Sequence, residues 1–288
     1  MVRYSWRHHV DQPPLIWTPR FVNGSYRATG TLGRTSGIGH AGFSSGVRVP
    51  TAGKLQSSAG PLWNNGPVSR TWIVIPMYNE APVIGSVIEG LRVEFPHVVC
   101  IDDGSRDGSQ DIARAAGAVV VQHPVNLGQG AALQTGIEFA LQDPEMECIV
   151  TFDADGQHRV EDAKSMVARI YGGEADVVLG SRFLDRRTHL SPAKRLVLRT
   201  AAVQSKLATG MNLTDAHNGL RAFNRFVASH IHLTQNRMAH ASELVHQLAE
   251  LKPRWVEEPV EIIYTEYSKA KGQSLLNSVN ILAELLFR

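Results

Sequence analysis

The stretch 148–158, CIVTFDADGQH, constrains this chain more than any other. Its first five residues form an unbroken apolar run, the pattern of a strand in a parallel sheet covered on both faces. The run leads straight into Asp153-Ala154-Asp155, and Gly156 then lets the chain turn. Side chains two apart on an extended segment point the same way, so both carboxylates leave the strand's C-terminal end together. Paired carboxylates repel unless a positive group lies between them. A divalent cation with oxygen ligands meets that need, and Gln157 offers a further neutral oxygen. Taken alone, a D-x-D reads first as a polar loop after a strand, and the rest of the chain has to supply the case for a cation.

Composition narrows the class. Of the 288 residues 43% are apolar, and no run of ~18 or more apolar residues exists to span a bilayer. Cys100 and Cys148 both fall in apolar runs and read as buried thiols, which suits a reducing cytosol. No cysteine spacing resembles a zinc site or a disulfide framework. Residues 1–70 hold eight Lys/Arg against one acid, Asp11; residues 71–288 hold 21 basic and 26 acidic residues. The globular part is therefore mildly acidic, which argues against a nucleic-acid partner.

Residues 1–70 lack an apolar period and are dense in Gly, Ser, Pro, Thr and Asn, so they are expected to be a disordered tail or a region translated from a misplaced start codon. Their Arg-rich composition also suits a transit peptide, but no amphipathic helix accompanies it. GTLGRTSGIG has no preceding strand and is not a phosphate loop.

From Thr71 the texture changes. TWIVIPMY predicts a strand, with Pro76 near its end. A helix follows, with Pro82 in its first turn and Val83, Ile84, Val87, Ile88 and Leu91 at helical spacing. Strands are predicted at 98–101, 118–122, 148–152 and 175–179, and helices at 109–116, 128–141 and about 160–172. Further helices are expected at 191–209, 224–231 and 241–251, with 212–223 extended or looped and 255–267 alternating like a strand. A last amphipathic helix covers 274–287.

Alternating strands and helices with short links imply right-handed crossovers and an α/β fold: an open, Rossmann-like parallel sheet with helices on both faces. Such sheets bind ligands at the carboxyl ends of their strands. Four polar clusters fall there, at 76–80, 102–105, 123–130 and 153–158, and would share one rim.

Each cluster suggests its own chemistry. Asp102 and Asp103 suit a nucleobase N–H or ribose hydroxyls, or else a turn and helix cap. Asn126, Gly128 and Gly130 precede a helix whose N-terminus favours phosphate, or they mark tight loop packing. Arg182, in GSRF, and Arg221, in DAHNGLRAF, are bidentate phosphate ligands in prospect. Glu243 is a solvated helix acid or, if its helix lines the rim, a general base. Lys269 and Lys271 lie in a basic segment that would close over a pyrophosphate or touch anionic lipid.

The ordered set IPMYNEAPVIG, CIDDGSRDGS, HPVNLGQGAALQTG, FDADGQH, GSRF and DAHNGLRAF closely resembles the family-2 glycosyltransferases of the GT-A fold. Within that family it most resembles the polyprenyl-phosphate sugar transferases, relatives of dolichol-phosphate mannose synthase. The resemblance covers roughly 71–272, the expected transferase domain, with 1–70 an extension and 273–288 a terminal helix. It implies a nucleoside-binding set of Pro76, Tyr78, Glu80, Asp102 and Asp103. It implies that Asp153, Asp155 and Gln157 hold Mg²⁺ or Mn²⁺ against the pyrophosphate of a UDP- or GDP-linked sugar. Arg182 and Arg221 match positions near an acceptor phosphate, and Lys269 or Lys271 belong to a mobile closing segment. The implied acceptor is a polyprenyl phosphate or a cell-envelope glycan, met in the cytoplasm or at the membrane's inner face, with the terminal helix as a peripheral contact.

In such a transferase a bound dication neutralises the departing nucleoside diphosphate, and a single displacement inverts the anomeric centre. A phosphate acceptor needs no base; a hydroxyl needs Glu243 or a nearby Asp. Two alternatives stand beside this reading. A nucleotidyltransferase would want a Gly-rich, basic loop after the first strand, which 76–80 lacks. A sugar-nucleotide-binding protein without activity would have no need of every motif carboxylate.

Overall fold

The computed structural model describes residues 66–264 apart from 186, 189–191 and 238, together with 19–22, 25–28 and 267. Lys269, Lys271 and the expected terminal helix lie outside the described residues. Within 1–70 it shows a two-stranded antiparallel ribbon, β1 (Pro19–Val22) with β2 (Ser25–Ala28), and a 3₁₀ turn, Pro67–Arg70, that leads into the domain.

The domain is a seven-stranded sheet. In chain order its elements are β3 (Thr71–Met77), α1 (Ile84–Glu94), β4 (His97–Asp102), α2 (Ser109–Ala115), β5 (Val119–Gln122), α3 (Gln129–Leu141) and β6 (Cys148–Thr151). They continue with α4 (Val160–Tyr171), β7 (Val177–Ser181), α5 (Pro192–Thr209), β8 (Arg221–Asn224), α6 (Arg225–His230), α7 (His240–Leu251) and β9 (Trp255–Pro259). The strand order is β5-β4-β3-β6-β8-β7-β9.

Alternation along β3 explains the layers. Ile73, Ile75 and Met77 face one side, with Ile84, Ile88 and Leu91 of α1 and Met166 and Val167 of α4. Trp72 and Val74 face the other, with Leu133 and Ile137 of α3 and Leu244, Val245 and Leu248 of α7. Helices thus cover both faces, and every β3 residue is buried. Helix α3 lies so close to the sheet that a Cβ on Gly136 would stand 2.2 Å from Val74 Cγ1. Only glycine fits there, since close-packed interiors leave no slack.

Pro76 is tolerated inside β3 because of where β6 stops. The Val74 carbonyl accepts from Phe152 N at 3.0 Å, and the last β3–β6 rung pairs Val74 with Thr151. Two residues on, Pro76 faces the same way beyond that rung, so no ladder hydrogen bond is lost to its missing N–H.

The sheet is mixed, which corrects the expectation of an all-parallel one. Residues 221–224 form β8, inserted antiparallel between β6 and β7. Leu220, Ala222 and Phe223 are fully buried, so burial on both faces fixes this four-residue strand. The predicted strand over 255–267 is also shorter. Pairing with β7 ends at Pro259, whose ring removes a donor, and Val260 N then reaches Ser181 O at 3.0 Å. No helix among the described residues is long and apolar enough to cross a membrane.

Candidate active site

The carboxyl ends of β3, β4, β5, β6 and β7 form one rim. Strand β8 runs the other way, so its first residue, Arg221, lies across from Thr151 of β6 and Leu179 of β7 at that same rim. An antiparallel insertion is what delivers a guanidinium to the place where the carboxylates emerge.

Beyond Thr151 the chain does not stay extended. Residues 154–155 turn, Gly156 takes a left-handed φ of 74°, and Gln157 N donates to Asp155 Oδ1 at 3.1 Å. This carboxylate-closed turn breaks the period of two on which the convergence of Asp153, Asp155 and Gln157 was expected to rest. Gln157 is buried, and its carbonyl accepts from Ile263 N at 2.9 Å.

The two carboxylates differ in environment. Asp153 Oδ2 meets His158 Nε2 at 2.9 Å, and Oδ1 accepts from Gln129 Nε2 at 3.3 Å. Burial works against its charge, but the His158 hydrogen bond and the nearby charges, Arg221's included, outweigh it and hold the carboxyl below its ordinary range. Asp155 has only the Gln157 amide among the described residues. Burial, followed by the charge on Asp153, pushes its carboxyl up to about 6. Gly219 is pressed against Asp153: a Cβ there would lie 2.2 Å from its Oδ2.

The two arginines also differ. Arg182 is committed within the protein, its Nε to Asp215 Oδ2 at 2.5 Å and its backbone N to the same oxygen at 3.2 Å. Arg221 is only 4% exposed, and its guanidinium makes no hydrogen bond or ion pair among the described residues. Burial pulls its guanidinium down to about 10, against the charges of Asp153 and Asp215. His217, whose Nε2 lies 3.4 Å from Ser242 Oγ, is pushed down to about 4 by burial and then by Arg221; His240 is lowered for the same two reasons. Both are neutral near pH 7, so among the described residues Arg221 and the Asp215-paired Arg182 carry the positive charge here.

Several expected ligands turn out to hold loops. Asp103 accepts from His123 Nδ1 at 2.8 Å, Leu127 N at 2.9 Å and Gly128 N at 2.7 Å. Its carboxylate pins the 123–128 loop, and the Gly128 amide is no longer available to a phosphate. Gly130 N donates to Asn236 O at 2.8 Å, and a Cβ on Gly128 would be 2.2 Å from that oxygen. These glycines serve tight packing, the second of the two readings their spacing allowed. Asn126 is exposed on the same loop. Asp102 accepts from Ser105 N at 3.0 Å and Gln122 Nε2 at 3.2 Å.

Glu243, the candidate base, is turned away from that task. Its oxygens accept from Thr234 N at 3.0 Å, Thr234 Oγ1 at 2.5 Å and Gln235 N at 2.9 Å. With these donors in place its carboxylate holds the 234–235 segment against α7. At the β3 end Tyr78 is exposed, while Glu80 is buried and accepts from Tyr267 Oη at 2.8 Å.

His158 is the partner that sequence reasoning missed. It packs edge-on against Phe152, and its pairing with Asp153 spans five residues across a turn, a spacing with no helical or strand period. Its place inside the DADGQH run was the only available signal.

The site tolerates a cation on chemical grounds. Asp155 carries a carboxylate that burial and a like charge make costly, with one hydrogen bond to offset it. Among the described residues no group of three or more His, Cys, Asp and Glu forms a closed metal cage. A hard cation held by one or two carboxylates, completed by water and a bound ligand, is compatible with that donor set.

Comparison with known proteins agrees with the geometry. The model of "Glycosyl transferase family 2" matches residues 72–232. An uncharacterized protein of Methanocaldococcus jannaschii is 34% identical over 75% of this chain and 91% of its own length. A UDP-N-acetylglucosamine–dolichyl-phosphate N-acetylglucosaminyltransferase of Methanococcus voltae is 27% identical over 75% of this chain and 94% of its own. A polyprenol monophosphomannose synthase of Mycolicibacterium smegmatis is 31% identical over 58% and 66%. Among solved structures, glucosyl-3-phosphoglycerate synthase of Mycobacterium tuberculosis superposes with a TM-score of 0.56 at 20% identity, covering 76% of this chain and 80% of that one. The same enzyme has been crystallised with Mn²⁺, UDP and phosphoglyceric acid (TM-score 0.55, 18% identity, 76% and 78% covered). The ordered motifs, the GT-A architecture and the family match together establish this chain as a glycosyltransferase belonging to glycosyl transferase family 2.

Proposed function

We propose that the chain is an inverting, cation-dependent transferase that moves a sugar from a nucleoside diphosphate to a polyprenyl-type lipid phosphate. The observation that carries this reading is Arg221. Strand β8 puts a largely buried guanidinium, unpaired among the described residues, at the rim where the carboxylates emerge, and an anionic ligand would complete it. The charge of Arg221 acts on Asp153, two residues before Asp155, a carboxylate fit for a cation. A site offering both recognises a pyrophosphate and a second phosphate together. The names of the relatives, which specify dolichyl- or polyprenol-linked products, support the lipid acceptor.

Bound Mg²⁺ or Mn²⁺ would supply charge neutralisation on the leaving diphosphate, with Asp155 as its principal protein ligand and Asp153 adjoining. The chain's own residues do the rest. His158 and Gln129 fix the direction of Asp153. Gly219 leaves Asp153 its space. Arg221 binds and orients an anion without the reorganisation that water would require. A phosphate acceptor is already anionic, so the reaction needs no base, in keeping with the engagement of Glu243. The β3 and β4 ends, with Tyr78, Glu80 and Asp102, are assigned to the nucleoside, and Lys269 and Lys271 to closure over it. The buried free thiols Cys100 and Cys148 suit the cytoplasmic side, at the membrane's inner face.

The reading fixes a pH dependence. A cation binds the ionised carboxylate, so protons compete with it below the Asp155 value of about 6. Calorimetric Mn²⁺ titration should show an affinity that is flat above pH 6.5 or so and falls by about tenfold per unit below it. An affinity constant down to the ordinary carboxylate range near pH 4 would remove Asp155 from the cation's ligands.

A further inference from the structure

Helix α5, 18 residues long, leaves apolar side chains in solvent. Leu196 is 68% exposed, Val203 58% and Leu207 83%. Their spacing of seven and then four places them on one stripe of a helix. Arg195, Arg199 and Lys206 are exposed along it, and α5 contains no Asp or Glu. Ala201 and Ala202, by contrast, are buried. A single exposed leucine is ordinary, whereas a stripe of three flanked by cations is not. The concentration of positive charge is local, because residues 71–288 as a whole carry 26 acids against 21 basic residues. The stripe also adjoins the active site. Arg199 lies 6.0 Å from the ring centre of Phe183, the residue after Arg182, and Leu184 beyond it is 46% exposed.

We propose that this face of α5 rests on an anionic lipid surface. The leucines and Val203 would enter the headgroup boundary while Arg195, Arg199 and Lys206 meet lipid phosphates. Charge selects this occupant: a helix with cations only, on an otherwise acidic domain, is complementary to a surface of one negative sign. The role differs from that of the terminal segment, which the sequence marks as amphipathic on its own. The inference extends the lipid-acceptor reading to the surface that presents the acceptor. Lipid binding is measured without turnover, so either can fail alone.

The test is co-sedimentation of the full chain with vesicles of phosphatidylcholine, alone or with about one third phosphatidylglycerol. Binding to the anionic vesicles is expected to be at least ~10-fold tighter than to neutral ones, and to weaken in high salt. The double substitution Leu196→Glu, Leu207→Glu should reduce it by roughly tenfold or more, because it removes apolar contact and adds like charge. Both side chains are solvent-exposed, so circular dichroism should show an unchanged fold. Leu285→Glu with Leu286→Glu, in the terminal segment, should leave the α5-dependent difference in place. The proposal is overturned if the wild type ignores anionic vesicles or if the α5 substitutions have no effect. It also fails if those substitutions convert a dimer to a monomer, which would assign the stripe to a second copy. Lipid binding as expected, with no transfer to a water-soluble short-chain phosphate by either form, would sink the acceptor reading and keep this one.

Discussion

Asp155→Asn is expected to lower sugar transfer roughly a thousandfold, the scale of losing a principal charge-stabilising group at a leaving anion. The fold should survive. Asp155 holds a charge that burial and Asp153 both disfavour, so the neutral amide relieves repulsion, and the melting temperature should stay within about 2 °C or rise. Mn²⁺ affinity should fall with activity, since Asp155 is the carboxylate with a single hydrogen bond. Radiolabelled transfer and calorimetry on the same preparation check both. Wild-type turnover in the variant would show that the leaving group is stabilised elsewhere.

Arg221→Met should separate function from stability in a different way. The side chain fills similar space without the charge, but Asp153 and Asp215 lose a neighbouring cation. Urea unfolding should therefore show a loss of about 1–3 kcal/mol with the fold retained. Transfer is expected to fall by roughly a hundredfold in kcat/KM, because the pre-oriented cation for an anionic ligand is gone. A second signature follows from the sign of the interaction. Arg221 helps hold the Asp153 carboxyl low, so its removal raises the Asp153 titration followed by carboxyl NMR. A variant that unfolds readily but keeps its residual turnover per folded molecule would make Arg221 structural.

Much of this architecture was legible from periodicity. Strands buried on both faces announce themselves as apolar runs, and β3, β4 and β6 did so. Helix α1 followed from 3.6-residue spacing, although Pro82 sits in the turn before it, and α3 falls within the expected 128–141. Strand β8 was not legible, because four residues carry no period and its direction is set by neighbours far away in sequence. That one strand decides where Arg221 ends up. In the site, the residue types were readable but their directions were not. Asp103 and Glu243 have the composition of ligands, yet their oxygens are filled by amides 8 to 25 residues away. The Asp153–His158 pair depends on a turn closed by Asp155 and Gly156, a local geometry that no alternation rule reports.

The most direct test is a thermal-shift panel of UDP- and GDP-linked sugars, each with Mn²⁺ and with excess EDTA. One donor is expected to raise the melting temperature only when Mn²⁺ is present, and Asp155→Asn should abolish that shift. An equal shift in EDTA, or none with any sugar nucleotide, would contradict a cation held by Asp155 against a nucleoside diphosphate.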